Sequence, residues 1–101
     1  MIKIVFTEGR FAPQAFCDHC GERIEKAAEG NYEWHPTGDF EQGEVSEVYL
    51  IHKRCTQAFE QATGRRPYTG ELTVFPVYLS NNLEIDWDEA TEMVARSASL
   101  P

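Results

Sequence analysis

Basic residues are scarce in this chain of 101 residues: nine Lys and Arg stand against 17 Asp and Glu, for a formal charge of −8. Such a chain is repelled by phosphate backbones unless its few cations cluster, which argues against generic nucleic-acid binding. Cysteine is scarce as well, and its count of three is odd, so no closed set of intramolecular disulfides accounts for it. Long apolar runs are missing. No stretch approaches the roughly 20 apolar residues of a spanning helix. The N-terminal run Met1-Ile2-Lys3-Ile4-Val5-Phe6 is interrupted by Glu8 before it reaches the length of a signal peptide. The expectation is a cytoplasmic, reducing setting without membrane contact, in which closely spaced cysteines bind metal. Repeats, low-complexity tracts, a Gly-rich phosphate loop and a nucleophile–base motif are also missing.

What remains is the composition of one globular domain, 42% apolar and 26% charged, spanning 1–101. A domain of this length buries roughly 60–70% of its unfolded surface, and domains this small often recruit a metal to reach useful stability.

The three cysteines and one histidine fall into two pairs of equal spacing, Cys17-x2-Cys20 and His52-x2-Cys55. Zinc takes a tetrahedron of sulfur and nitrogen ligands at about 2.0–2.3 Å. A Cys-x-x-Cys turn places two sulfurs on one side, and Gly21 directly after it suits the tight return of the chain. Two residues three apart at the start of a helix place the other two ligands on a common face, near the positive end of the helix dipole. Cys17, Cys20, His52 and Cys55 are therefore expected to hold one structural Zn2+, with iron or a histidine-ligated iron–sulfur cluster as the alternative occupant. Zinc and three thiolates change the formal charge from −8 to about −9, so metal loading leaves the chain acidic. His19, inside the knuckle, and His35, before Pro36, are the competing ligands; neither has the helical partner spacing of His52.

Around these ligands the pattern reads as an α+β domain. Lys3 to Thr7 suggests a short strand, Pro13 a break, and residues 22–30 a polar, helix-compatible segment. Tyr32 and Trp34, then Val45, Val48, Leu50 and Ile51, suggest a β-hairpin with a long acidic connection through Pro36, Gly38 and Gly43. Cys55, Ala58, Phe59 and Ala62 recur at helical spacing, and Gly64 supplies the stop. In the last third, Leu72, Phe75, Tyr78, Leu79 and Leu83 favour a helix with Pro76 in its first turn, although Thr73–Tyr78 also reads as a strand. Asp86-x-x-Glu89 opens a final helix whose apolar side carries Trp87, Ala90, Met93, Val94 and Ala98.

A Cys17-Asp18-His19-Cys20-Gly21 knuckle, a hairpin and a helix bearing His52-Lys53-Arg54-Cys55 resemble a treble-clef zinc finger. The ligand set is also similar to LIM-type modules and to the zinc fingers of poly(ADP-ribose) polymerases. The resemblance covers residues 16–64 and implies a zinc-binding treble-clef-like core there; the helical extension expected over residues 71–98 rests on the apolar and capping pattern alone. The polymerase fingers are basic and bind DNA ends, whereas this chain is acidic.

No enzyme is expected. Four protein ligands leave a zinc ion no open position for water. The zinc deaminases need His-x-Glu, and His52 is followed by Lys53-Arg54. A metal-dependent hydrolase or nuclease would have only His35 as a loose candidate, and Asp86, Asp88 and Glu89 read as helix N-terminal charge. Nucleic-acid binding has one argument, the Lys53, Arg54, Arg65 and Arg66 cluster around the metal-bearing helix. A helix-turn-helix reading of the C-terminal third fails, because its second helix would present Glu84, Asp86, Asp88, Glu89 and Glu92 to a phosphate-lined groove. The favoured expectation is a protein-interaction or regulatory module, contacting a partner through the acidic loop around Phe40 or through the acidic final helix.

Overall fold

The computed structural model of the chain describes residues 1–35 and 46–97 and shows a small α+β protein. The acidic loop around Phe40, and Ala98, lie outside the described residues. The described residues form two antiparallel sheets and three α-helices, and the last strand of the second sheet follows the first helix.

The first sheet is a two-stranded ribbon. Strand β1 (Ile2–Thr7) pairs with β2 (Arg10–Ala15) so that Ile2, Ile4 and Phe6 lie opposite Ala15, Pro13 and Phe11. The expected break at Pro13 is thus a strand residue. In a ribbon of two strands both are edges, so the amide that proline lacks is needed by no further neighbour. The turn at Glu8-Gly9 is left-handed, with φ of 55° and 78°.

The second sheet has the order β4-β3-β5. Strand β3 (Gly30–Trp34) lies between β4 (Val48–His52) and β5 (Tyr68–Glu71), antiparallel to both. The hairpin expected from Tyr32, Trp34, Val48 and Leu50 is β3–β4; strand β5 was not expected. Helix α1 (Thr56–Thr63) follows β4 after a single 3-10 turn over Lys53–Cys55. Gly64 ends it with φ of 65° and donates its N–H to the Glu60 carbonyl at 3.0 Å, the left-handed stop that glycine permits. A further 3-10 turn, Leu72–Val74, leads into α2 (Phe75–Asn81), which carries Pro76 in its first turn. The helical reading of this segment therefore holds over the strand reading. Helix α3 (Trp87–Arg96) is capped by Asp86, whose Oδ1 accepts the N–H of Glu89 at 3.1 Å.

The helix-compatible segment 22–30 contains only one 3-10 turn, Ala27–Glu29. Its backbone is committed elsewhere: Cys17 N–H donates to the Glu22 carbonyl, Ile24 N–H donates to the Ala15 carbonyl, and Phe16 bridges Arg23. Completing the knuckle outweighs a weak local helix preference.

The core packs on both faces of the second sheet, with Ile51 and Phe59 on the α1 side and Leu50, Ile24 and Leu72 on the side of Gly30 and Tyr32. Cys17, Ile24, Leu50, Ile51, Cys55, Phe59 and Leu72 are buried, with Tyr32, Tyr49 and Phe75 packed around them. Gly30 makes room for this packing, because a Cβ would stand 2.7 Å from Leu72 Cδ2 and 3.2 Å from Ile24 Cγ2 and would force those side chains to shift. Burying the five non-cysteine side chains contributes roughly 8–15 kcal/mol. The core is small, and two of its members are candidate metal ligands.

Candidate metal centre

The two halves of the candidate site come from different sheets. Cys17 and Cys20 stand on the knuckle after β2, His52 closes β4, and Cys55 ends the 3-10 turn before α1. His52 thus belongs to a strand end and not to the helix start expected of it; the intervening turn still keeps it beside Cys55. The knuckle is held by its own backbone, with Gly21 N–H on the Cys17 carbonyl at 2.9 Å and Gly21 at φ of 78°. It is fastened to β4 by Asp18. The Asp18 amide donates to the Leu50 carbonyl, and Asp18 Oδ2 accepts the Leu50 amide, both at 2.8 Å. The same carboxylate oxygen accepts from the Met1 ammonium at 2.9 Å, which ties the root of β1 to the site.

These connections bring Cys17, Cys20, His52 and Cys55 together. Their sulfur and nitrogen atoms all lie within 4.8 Å of one another, a cluster that can hold one metal ion. Cys20 Sγ and His52 Nδ1 are 3.3 Å apart, close to the roughly 3.6 Å edge of a zinc tetrahedron built from S and N ligands. The His52 ring is oriented for the task. With Nε2 3.1 Å from the Arg23 carbonyl, a proton on that nitrogen donates to the carbonyl and leaves the Nδ1 lone pair to the cluster.

The electrostatics separate the two buried cysteines. Burial works against a Cys17 thiolate, but amide hydrogen bonds from Cys20, His52 and His19 outweigh it and bring the pKa from 9.0 down to about 6. Two of those donors are seen directly, His52 N–H at 3.3 Å and His19 N–H at 3.4 Å from Sγ. At Cys55 burial dominates and pushes the thiol up to about 11, with the neighbouring Cys17 and Cys20 adding to the shift. One sulfur is thus prepared as an anion, while the other keeps its proton until a bound cation stabilises its thiolate.

The competing histidines lie elsewhere. The His19 ring stands edge-on to Phe59 at 6.3 Å, and the His35 ring lies against Tyr49 and Phe59 at 5.9 and 6.3 Å. Beside His35 is a group that the sequence did not single out. Glu33 is 0% exposed, and neither of its carboxylate oxygens has a hydrogen-bond partner; His35 Nε2 is likewise buried without one. Burial, followed by the charges of Glu60 and Cys17, raises the Glu33 pKa from 4.5 to about 7. Among the described residues, the cysteine–histidine cluster is the one group able to supply three or more metal ligands.

A cluster of three cysteines and one histidine, closed around one point in a small α+β frame, is compatible with a zinc finger. No family model matches the chain, and no curated protein or solved structure matches it either. Among the described residues no helix is long and apolar enough to cross a membrane.

Proposed function

We propose that the protein is a zinc-stapled interaction module, a treble-clef-like core over residues 16–64 carrying a helical extension that meets a protein partner. One observation carries this reading: α3 is an amphipathic helix that buries none of its residues. Trp87, Met93 and Val94 are each at least half exposed, at 62%, 56% and 50%. An isolated helix of fewer than about 12–15 residues is marginal in water and normally owes its stability to packing of its apolar face. Helix α3 has an N-cap but no such cover among the described residues. The radius of gyration of 15.9 Å, against about 13 Å for a compact chain of this length, fits the same picture.

The polar side of α3 suits a basic partner. Asp88, Glu89 and Glu92 line it, with Asp86 at its cap, and Arg96 is its one basic residue. The nucleic-acid alternative is less well supported by the Lys53–Arg66 patch. Lys53 pairs with Glu71 at 2.6 Å and Arg54 with Glu22 at 3.0 Å, and Glu60 lines one depression with Arg65 and Arg66 and a second with Arg66. No catalytic role is proposed, because four protein ligands complete a tetrahedral shell and leave no position for substrate. The proposal places the protein in a reducing compartment, where its thiolates remain available to the metal.

The test is crosslinking from position 93 in native lysate with metal-loaded protein. We expect one discrete adduct with the wild-type apolar face, lost in Trp87→Asp and Val94→Asp proteins of unchanged metal content. Absence of any adduct, or retention of oligonucleotides at low salt with steep loss as salt rises, would count against the protein-contact reading.

A further inference from the structure

The face of the second sheet opposite α1 carries a row of aromatic rings. Tyr32 stacks on Trp34 at 5.4 Å and 15°, Trp34 stacks on Tyr68 at 5.7 Å and 16°, and Phe75 tilts against Tyr32 at 4.9 Å. The row is built into the backbone. A Cβ at Gly70 would stand 2.5 Å from two ring atoms of Tyr32, so the ring lies on the main chain of β5 and only glycine permits it there. Beside the row, α2 raises a wall, and the two enclose a groove of about 350 Å³ lined by Tyr32, Trp34, Phe75, Tyr78, Leu79 and Asn82.

We propose that this groove binds a proline-rich peptide segment in the polyproline II conformation, flanked by Lys or Arg. Such a helix has no internal hydrogen bonds, so its carbonyls seek donors while its rings seek apolar contact. The groove offers both: ring edges and Leu79 for the pyrrolidines, and as donors the Trp34 indole, the Tyr32 and Tyr78 hydroxyls and the second hydrogen of the Asn82 amide, whose first is given to the Tyr78 carbonyl at 3.0 Å. A peptide already extended loses little entropy on binding, which suits a shallow site. The volume is near the lower limit of ligand sites, about 300 Å³, and fits a short segment better than a helix. The flanking charge follows from the protein, which carries −8 overall and places Glu84 two residues beyond Asn82.

A single-stranded nucleic acid is the occupant that the geometry disfavours. Base stacking needs open ring faces, whereas Tyr32, Trp34 and Tyr68 turn theirs to one another. Phosphates would also meet a chain of the same sign. A second copy of this chain is disfavoured for the same reason of like charge.

This site is separate from α3, and the two tryptophans report on them independently: Trp34 lines the groove and Trp87 opens α3. The experiment is a titration of zinc-loaded, isotope-labelled protein with an arginine-flanked oligoproline, read from the two indole N–H resonances. We expect the Trp34 resonance to shift and saturate while Trp87 stays in place. Glutamate-flanked oligoproline should bind at least about threefold more weakly, and Gly70→Ala and Tyr78→Ala proteins of unchanged metal content at least about tenfold more weakly, roughly 1.4 kcal/mol. Gly70→Ala displaces a ring and risks the fold; Tyr78, on the exposed side of α2, does not. The proposal is overturned by a silent Trp34, by an equal response to a glycine–serine peptide, by a stronger response to oligothymidine, or by a dimer that occludes the groove. Full binding by the Tyr78→Ala protein would overturn it as well. A silent Trp34 would leave the α3 reading standing, and a failed α3 crosslink would leave the groove standing.

Discussion

Complete removal of the metal is expected to abolish the cooperative thermal transition of residues 16–64. Structural zinc in small fingers contributes on the order of 10–16 kcal/mol. That matches the roughly 8–15 kcal/mol from the five buried apolar side chains outside the site, and it equals or exceeds the net stability of an ordinary domain, about 5–15 kcal/mol. Cys17 and Cys55 are themselves core residues, so an empty site leaves the centre of the molecule with sulfurs that must choose between charge and burial. Cys55→Ala removes one ligand, and the same change opens a gap against the core. We expect both the stripped protein and the Cys55→Ala protein to show unfolded-like circular dichroism in the hairpin and α1, with the wild-type signal returning on addition of Zn2+ only where all four ligands are present. The measurement is a melt alongside metal analysis. An unchanged melt at zero metal content would refute the account.

The second large effect concerns Glu33. Its pKa is raised by burial, and by the nearby Glu60 and Cys17, from 4.5 to about 7. An acid whose folded pKa lies above its unfolded one favours folding least when ionised. The penalty is absent below about pH 4.5, grows as the pH rises between that value and about 7, and is complete above it. Its size is about 3 kcal/mol at about pH 8 and under about 1 kcal/mol at about pH 5. Glu33→Met keeps the volume, removes the charge and leaves no unpartnered oxygen. It is expected to stabilise the metal-loaded protein at about pH 8 by 2–3 kcal/mol or roughly 10 °C or more in melting temperature, with most of that gain gone at about pH 5. Glu33→Gln should gain less, since it buries an amide where no partner has been provided. A Glu33→Met protein less stable than wild type at both pH values would show that the carboxylate has a favourable role at this position.

How much of this was legible beforehand differs from element to element. That these four residues come together was readable because metal chemistry restricts both residue type and spacing, and two x2 pairs in a chain with three cysteines match that restriction. Helix α1 was readable from Cys55, Ala58, Phe59 and Ala62, its end from Gly64, and the start of α3 from Asp86, since each signal is local. Strand β5 was missed because Tyr68-Thr69-Gly70-Glu71 is short and contains a glycine, a residue that weakens a strand unless another group needs the space; here the Tyr32 ring does. Strand β2 was obscured by Pro13, whose tolerance depends on the ribbon having no third strand. Glu33 was concealed by its own pattern. Alternation of Tyr32, Glu33 and Trp34 suggests aromatics inside and carboxylate outside, yet β3 is a central strand covered by α1 on one side and bordered by α2 on the other. The carboxylate is therefore buried on the α1 side, within reach of the Glu60 charge, and the aromatics line the groove. Such burial is a property of the assembled layers and has no signature within a single strand.

The central claim is that these four residues, and no others, hold one zinc ion. Zinc K-edge X-ray absorption on stoichiometrically loaded protein tests it most directly. Three sulfurs at about 2.3 Å and one imidazole nitrogen at about 2.0–2.1 Å are expected, the shell unchanged in His19→Ala and His35→Ala proteins and altered in His52→Ala. A shell with oxygen in place of a sulfur, or one that changes on loss of His19 or His35, would contradict the assignment.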